Sequence, residues 1–188
     1  MRLRSLLTAG LLASVLLLTG CFEDIVNTFD GEPQVEFEQY NQPFSGSNNY
    51  TANVGFGADA EDPTTFALRL NLIGPHQGTD VDINFVAADE EVDFDGDVVA
   101  TASAVEGVHF SLNPSDGRAV FPDGVECGAY PHTTACPSFS HIEVTALPGG
   151  LAPGESVTLI LELQESNTLI PAENYKYYTV NLSKASDD

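Results

Sequence analysis

The sequence has no tryptophan, one methionine, three cysteines and six basic residues among 188, and each shortage removes a class of function. With 28 acidic side chains against those six bases, the formal charge is −22. That excludes binding to DNA or RNA through phosphate neutralisation, because such affinity comes from Lys and Arg. Without Trp, the best platform for stacking against a sugar ring is missing. No apolar run reaches the roughly 20 residues of a membrane-spanning helix. Catalytic signatures are missing too: there is no Gly-x-Ser-x-Gly elbow, no phosphate-binding Gly-Lys-Ser/Thr loop and no His-Glu-x-x-His. What is present is the material of a core, since 43% of residues are hydrophobic, with eleven Phe and six Tyr, which argues against a disordered chain. The length suits one domain and is too short for two sizeable cores.

The first twenty residues read as an export leader. Arg2 and Arg4 form a basic start, and Leu6 to Leu18 is apolar with small interruptions at Thr8, Gly10, Ala13 and Ser14, a secretory rather than a spanning length. Leu18-Thr19-Gly20-Cys21 resembles the bacterial lipobox, in which an aliphatic and two small residues precede the lipidated Cys. The resemblance implies cleavage before Cys21 and anchoring to a membrane through its lipid; two or more acyl chains hold stably where one holds marginally. Phe22-Glu23-Asp24 is similar to the surface-export signal of Bacteroidota lipoproteins. It implies a cell-envelope protein on the outer membrane facing outward, with periplasmic exposure as the alternative. The expected organisation is a leader over 1–20, an acidic tether over 21–33, a domain over 34–184 and a tail over 185–188.

Processing would remove both leader arginines and leave Arg69, Arg118, Lys176 and Lys184 against 28 acids, a formal charge of −24. So few bases resemble the proteins of salt-loving bacteria, where concentrated salt screens self-repulsion. An acidic surface protein from an ordinary habitat fits the same composition.

From residue 34 onward the apolar pattern has period 2. Val35 and Phe37 alternate with Glu36 and Glu38; Phe66, Leu68, Leu70 and Leu72 with Ala67, Arg69 and Asn71; Val81, Ile83 and Phe85 with Asp82 and Asn84. The same holds for Ile142 and Val144, for Val157, Leu159, Leu161 and Leu163, and for Tyr178, Val180 and Leu182. Such alternation marks strands with one face in a core and one in water. Gly74-Pro75, Asp95-Gly96, Asn113-Pro114, Asp116-Gly117, Asp123-Gly124, Pro148-Gly149-Gly150 and Pro153-Gly154 punctuate them as turns. Beyond the leader no helical run is evident. The expected fold is all-β, an antiparallel immunoglobulin-like sandwich of about seven to nine strands.

Ala104-Val105-Glu106-Gly107-Val108-His109-Phe110, followed by Ala119-Val120-Phe121-Pro122-Asp123-Gly124, resembles the central stretch of Calx-beta-type domains. There an Ala-x-x-Gly-x-Asp-Tyr/Phe segment leads into a strand ending Phe-x-x-Gly. Gly154-Glu155-Ser156-Val157 and Glu173-Asn174-Tyr175-Lys176 are similar to immunoglobulin-like domains of Bacteroidota lipoproteins, so the resemblance spans about residues 80–184. It implies an immunoglobulin-like sandwich in adhesion or scaffolding more than catalysis. His109 stands where the family has Asp, which weakens any transfer of calcium ligation through that position.

Cys127 and Cys136 lie in an insertion over Val125–Ser138, where an exported protein favours a disulfide. The competing reading is zinc on Cys127, His132, Cys136 and His141, all of them competent ligands, at a spacing that matches no common pattern. Asp89, Glu90, Glu91, Asp93, Asp95 and Asp97 surround Gly96 and could offer calcium several oxygens from one loop. With Glu91, Asp93 and Asp95 at positions 1, 3 and 5, Gly96 falls at position 6, but position 12 is Ala102. The loop is therefore no complete EF-hand, and a solvated acidic hairpin is the favoured reading. Ser140 and His141, adjacent in a strand, should face opposite ways and cannot work as nucleophile and base. His76 falls in an exposed turn. Tyr175, Tyr177 and Tyr178 could stack on sugar, or could divide between core and sheet edge. The expected function is a non-enzymatic surface-interaction, adhesion or scaffold module with a protein or glycan partner. The alternatives are a glycan-binding accessory lipoprotein of a nutrient-uptake complex, and a hydrolase whose carboxylate pair is defined only in space.

Overall fold

A computed structural model describes residues 31–39, 50–128 and 134–187. The leader, Cys21, most of the tether, His132 and Asp188 lie outside the described residues. Gly31–Asp188 forms one compact unit.

The described residues form β1 (Gln34–Phe37), β2 (Thr51–Phe56), β3 (Thr64–Ile73), β4 (Val81–Ala88), β5 (Glu90–Val92), β6 (Val98–Thr101), β7 (Phe110–Asn113), β8 (Arg118–Phe121), β9 (Phe139–Ala146), β10 (Ser156–Gln164), β11 (Ile170–Pro171) and β12 (Tyr177–Lys184). Helical structure among them is confined to two single 3-10 turns, Pro148–Gly150 and Glu173–Tyr175. One sheet has the order β11-β1-β3-β9-β7, the other β2-β12-β10-β4-β8, and β5-β6 stands apart as a two-stranded hairpin. The fold is the expected all-β sandwich. It has more strands than expected because β7 and β8 have four residues each and β11 two, too short to display a period.

Most pairings are antiparallel, but β1 runs parallel to β11 and β2 parallel to β12. The reason is that the amino-terminal part of the domain contributes an edge-region strand to each sheet. β1 joins β3 in the first, and β2 joins β12 in the second.

The alternating residues meet between the sheets. Phe37, Leu68, Leu70, Ile83, Phe110, Phe121, Ile142, Leu159, Leu161, Leu163 and Tyr178 are among the fully buried side chains. Along β10, Val157, Leu159, Leu161 and Leu163 point inward while Thr158 and Glu162 are only partly covered. On β9, Ser140 faces inward with Ile142, Val144 and Ala146, and its hydroxyl donates to the Val120 carbonyl at 2.7 Å. That bond links β9 of one sheet to the edge strand β8 of the other and satisfies an edge acceptor that would otherwise lack a strand partner. Glycine is required in the turn after β9, because a Cβ on Gly150 would run into the Val108 carbonyl.

A cleft beneath the acidic hairpin

The candidate site begins with a residue that breaks the alternation. Ile160 occupies an outward position on β10, yet it is completely buried and does not belong to the inter-sheet core. The outward Thr179, its neighbour on β12, is buried as well. Their cover is the hairpin β5-β6, which leaves the end of β4 and folds across the outer face of the second sheet. Three contacts fix it there. The Ala102 amide donates to the Asp89 carbonyl at 2.7 Å and closes its root. Ser103 and Ala104 donate to the Thr158 carbonyl at 2.8 and 2.9 Å. The Thr179 hydroxyl donates to Glu91 Oε2 at 2.8 Å. An isolated two-stranded hairpin is marginal in water, so this one depends on the sheet beneath it.

Between the hairpin and the start of β12 the overlap leaves a cleft of about 240 Å³. Glu91, Val92, Asp93, Phe94 and Val99 line the hairpin side, and Tyr50, Glu173, Asn174 and Tyr177 line the other. Phe94, at the tip, is 85% exposed, an unusual position for a large aromatic ring. Asp93 shapes the tip by accepting the Asp95 and Asp97 amides on Oδ1 at 3.0 and 2.9 Å. Tyr50 takes a left-handed backbone (φ 48°), which costs a non-glycine residue on the order of 1 kcal/mol. The conformation is held by the Thr179 amide, which donates to the Tyr50 carbonyl at 2.9 Å, and by the Tyr175 ring, 5.2 Å away between centroids.

The electrostatics of the cleft are negative. The Tyr177 hydroxyl donates to Glu162 Oε1 at 3.0 Å. Its pKa is pushed up to about 12, first by burial, then by that hydrogen bond and by the charges of Glu162, Glu173 and Glu91. Lys176 reaches over the same ring, its Nζ 5.3 Å from the centroid and 2.7 Å from Glu173 Oε1. Carboxylates and amide side chains can accept and donate hydrogen bonds to hydroxyls, while the aromatic faces offer apolar contact. A polar ring with hydroxyls on its rim matches that combination. A wider groove of about 510 Å³ runs along Asn84, Glu106, Leu112, Asp116 and Gln164, but its one aromatic member, Phe85, is buried in the core.

The cleft gathers some of the residues singled out in the sequence and leaves others apart. Of the acidic cluster, Glu91 and Asp93 enter it; Asp89, Glu90, Asp95 and Asp97 do not line it. The segment is a hairpin, with no group of three or more His, Cys, Asp or Glu placed to hold a metal ion among the described residues. The tyrosines divide as the alternation requires. Tyr178 is in the core, 5.4 Å from Phe37, Tyr177 faces the cleft, and Tyr175 is exposed beside Tyr50. Tyr50 and Phe94 were not singled out by sequence, Tyr50 because a lone Tyr outside any alternating run carries no signal. The exposed Phe at an Asp-Gly turn was such a signal.

Elsewhere, Cys127 and Cys136 form a disulfide of 2.02 Å. Both sulfurs are therefore engaged, which corrects the zinc reading: no thiolate remains for zinc, and His141 lies on β9. Ser140 and His141 face opposite sides of β9, Ser140 buried and His141 part-exposed. His76 is exposed and hydrogen-bonds Ser138 at 2.7 Å. His109, where Calx-beta domains carry Asp, is nearly buried and its Nδ1 accepts the Val105 amide at 2.8 Å. It serves as a local acceptor.

No family model matches the chain, and no curated protein does. Among solved structures, the chain is similar to a protein of unknown function from Bacteroides ovatus, at TM-score 0.50 and 15% identity over 80% of this chain and 44% of that one. A second B. ovatus protein, to which carbohydrate binding has been ascribed, aligns at TM-score 0.46 and 15% identity over 81% and 37%. The apo form of a Calx CBD1 domain aligns at TM-score 0.46 and 15% identity over 84% and 100%. The chain thus spans less than half of each B. ovatus protein. These likenesses concern the fold alone.

Proposed function

We propose that the protein is a non-enzymatic interaction module of the cell envelope, tethered through Cys21, that uses the cleft beneath its acidic hairpin to bind a carbohydrate. The observation that carries this reading is the cleft itself: two tyrosine rings, an exposed phenylalanine, three carboxylates and an amide converge on one small space. Its size lies below the roughly 300–1,000 Å³ of typical small-molecule sites, which suits one ring of a longer glycan. The carboxylates are engaged in structural contacts: Glu91 accepts the Thr179 hydroxyl and Glu173 pairs with Lys176. That arrangement favours holding a ligand over attacking one.

A glycan array probed with the full chain tests the proposal. Binding to at least one glycan class is expected, with a loss of tenfold or more in Phe94→Ala, whose exposed ring can be removed without disturbing the core. Turnover of a polysaccharide would instead support a hydrolase. Binding unchanged in Phe94→Ala would move the site elsewhere. The lipid anchor has its own test: mass spectrometry of the membrane-extracted protein should find acyl mass on Cys21, and Cys21→Ala should release it.

A further inference from the structure

Resting on that carbohydrate reading, the uncompensated charge of the cleft identifies the kind of sugar. The described residues contain four Lys or Arg side chains, and each is already paired with a carboxylate: Arg69 with Glu38, Arg118 with Asp82, Lys176 with Glu173 and Lys184 with Glu61. None of them pairs with Glu91 or Asp93. Both carboxylates therefore face the cleft without a cationic partner among the described residues, in a chain of formal charge −22.

The rim also shows which group such a wall accommodates. The Lys176 ammonium rests over the Tyr177 ring at 5.3 Å and against Glu173 at 2.7 Å, an ammonium held jointly by an aromatic face and a carboxylate. The opposite wall offers the same pair of partners, Phe94 beside Asp93 and Glu91, with no internal ammonium in place. We infer that this wall accepts the protonated amine of an amino sugar, so that the cleft selects glycans with free amino groups over their acetylated counterparts and rejects uronates and sulfated sugars. Rejection follows from the same charges, since an anionic sugar would enter against carboxylates while the base at the rim, Lys176, is already paired with Glu173.

The test is calorimetric titration of the full chain at low salt with short oligomers of glucosamine, N-acetylglucosamine, neutral glucose and galacturonic acid. The glucosamine oligomer should bind at least tenfold tighter than the acetylated one, and the galacturonate should not bind. In Glu91→Gln combined with Asp93→Asn the preference for the glucosamine oligomer over the acetylated one should vanish. Gln at position 91 can still accept the Thr179 hydroxyl, and an unchanged melting temperature checks the fold. Asp62→Asn combined with Glu126→Gln removes equal charge at exposed positions outside the cleft and should keep the preference. If that second pair abolishes it equally, the attraction belongs to the whole acidic surface and the inference fails. Acetylated or uronate oligomers binding as tightly as glucosamine would overturn the amine inference and leave the carbohydrate reading standing. No binding to any of the four by a folded protein would overturn both.

Discussion

Tyr178 shows how one atom can work against the core that holds it. Its ring is buried against Phe37, but its hydroxyl has no hydrogen-bond partner among the described residues, and a buried unpaired hydroxyl costs on the order of 1–3 kcal/mol. Tyr178→Phe should therefore raise stability by about 1 kcal/mol in urea denaturation; a loss would mean that the hydroxyl has a partner. The same residue governs behaviour in alkali. Burial pushes its pKa up to about 12, and Tyr177 reaches about 12 beside Glu162. The unfolded chain would ionise near pH 10, so the folded state keeps protons that the unfolded state releases. The associated stability is whole below about pH 10 and is lost as pH rises through about 12. Denaturation midpoints should fall across that window, and less steeply in Tyr178→Phe. His109 gives a third check at this scale. His109→Ala leaves the Val105 amide without its acceptor and should cost about 1 kcal/mol, whereas His109→Asp restores an acceptor and should recover part of it.

Among the elements, the hairpin separates what the sequence announces from what it conceals. The long strands were legible because Phe66, Leu68 and Leu70, or Val157, Leu159, Leu161 and Leu163, repeat at period 2 over enough residues to stand out. β2 was not, since Thr51-Ala52-Asn53-Val54-Gly55-Phe56 opens its inward face on Ala52 and leaves only Val54 and Phe56 with weight, a run too short to stand out. The disulfide could be argued from compartment, and the tyrosine division from alternation. The cleft could not, because it depends on a hairpin lying across a face that periodicity assigns to water. Ile160 measures that overlap. Ile160→Ala should cost about 2–4 kcal/mol, the range for a buried aliphatic side chain, whereas Thr158→Ala on the same face should stay near 1 kcal/mol or less. Near-equal costs would mean that the hairpin does not rest on the sheet in solution. In the turn after β9, Gly150→Ala should destabilise strongly, because the Val108 carbonyl stands where its Cβ would go.

For the whole molecule, the governing quantities are charge and cross-linking. A chain at −22 repels itself, and salt screens exposed charges beyond about 10 Å at 0.1 M. Melting temperature should climb with sodium chloride, steeply into the molar range if the protein belongs to a saline habitat and levelling early if it does not. Reducing the Cys127–Cys136 bridge should lower stability by roughly 2.5–3 kcal/mol on the loop-entropy estimate, readable as a shift in urea midpoint with and without reductant. The closed root of the hairpin, where Ala102 bonds back to Asp89 at 2.7 Å, has one more consequence. Residues 90–101 depart from the sandwich and return to it at the same place, so their length and chemistry can be exchanged like a cassette while the layers below keep their order. A related chain could thus acquire a new taste in ligands by swapping this one insert.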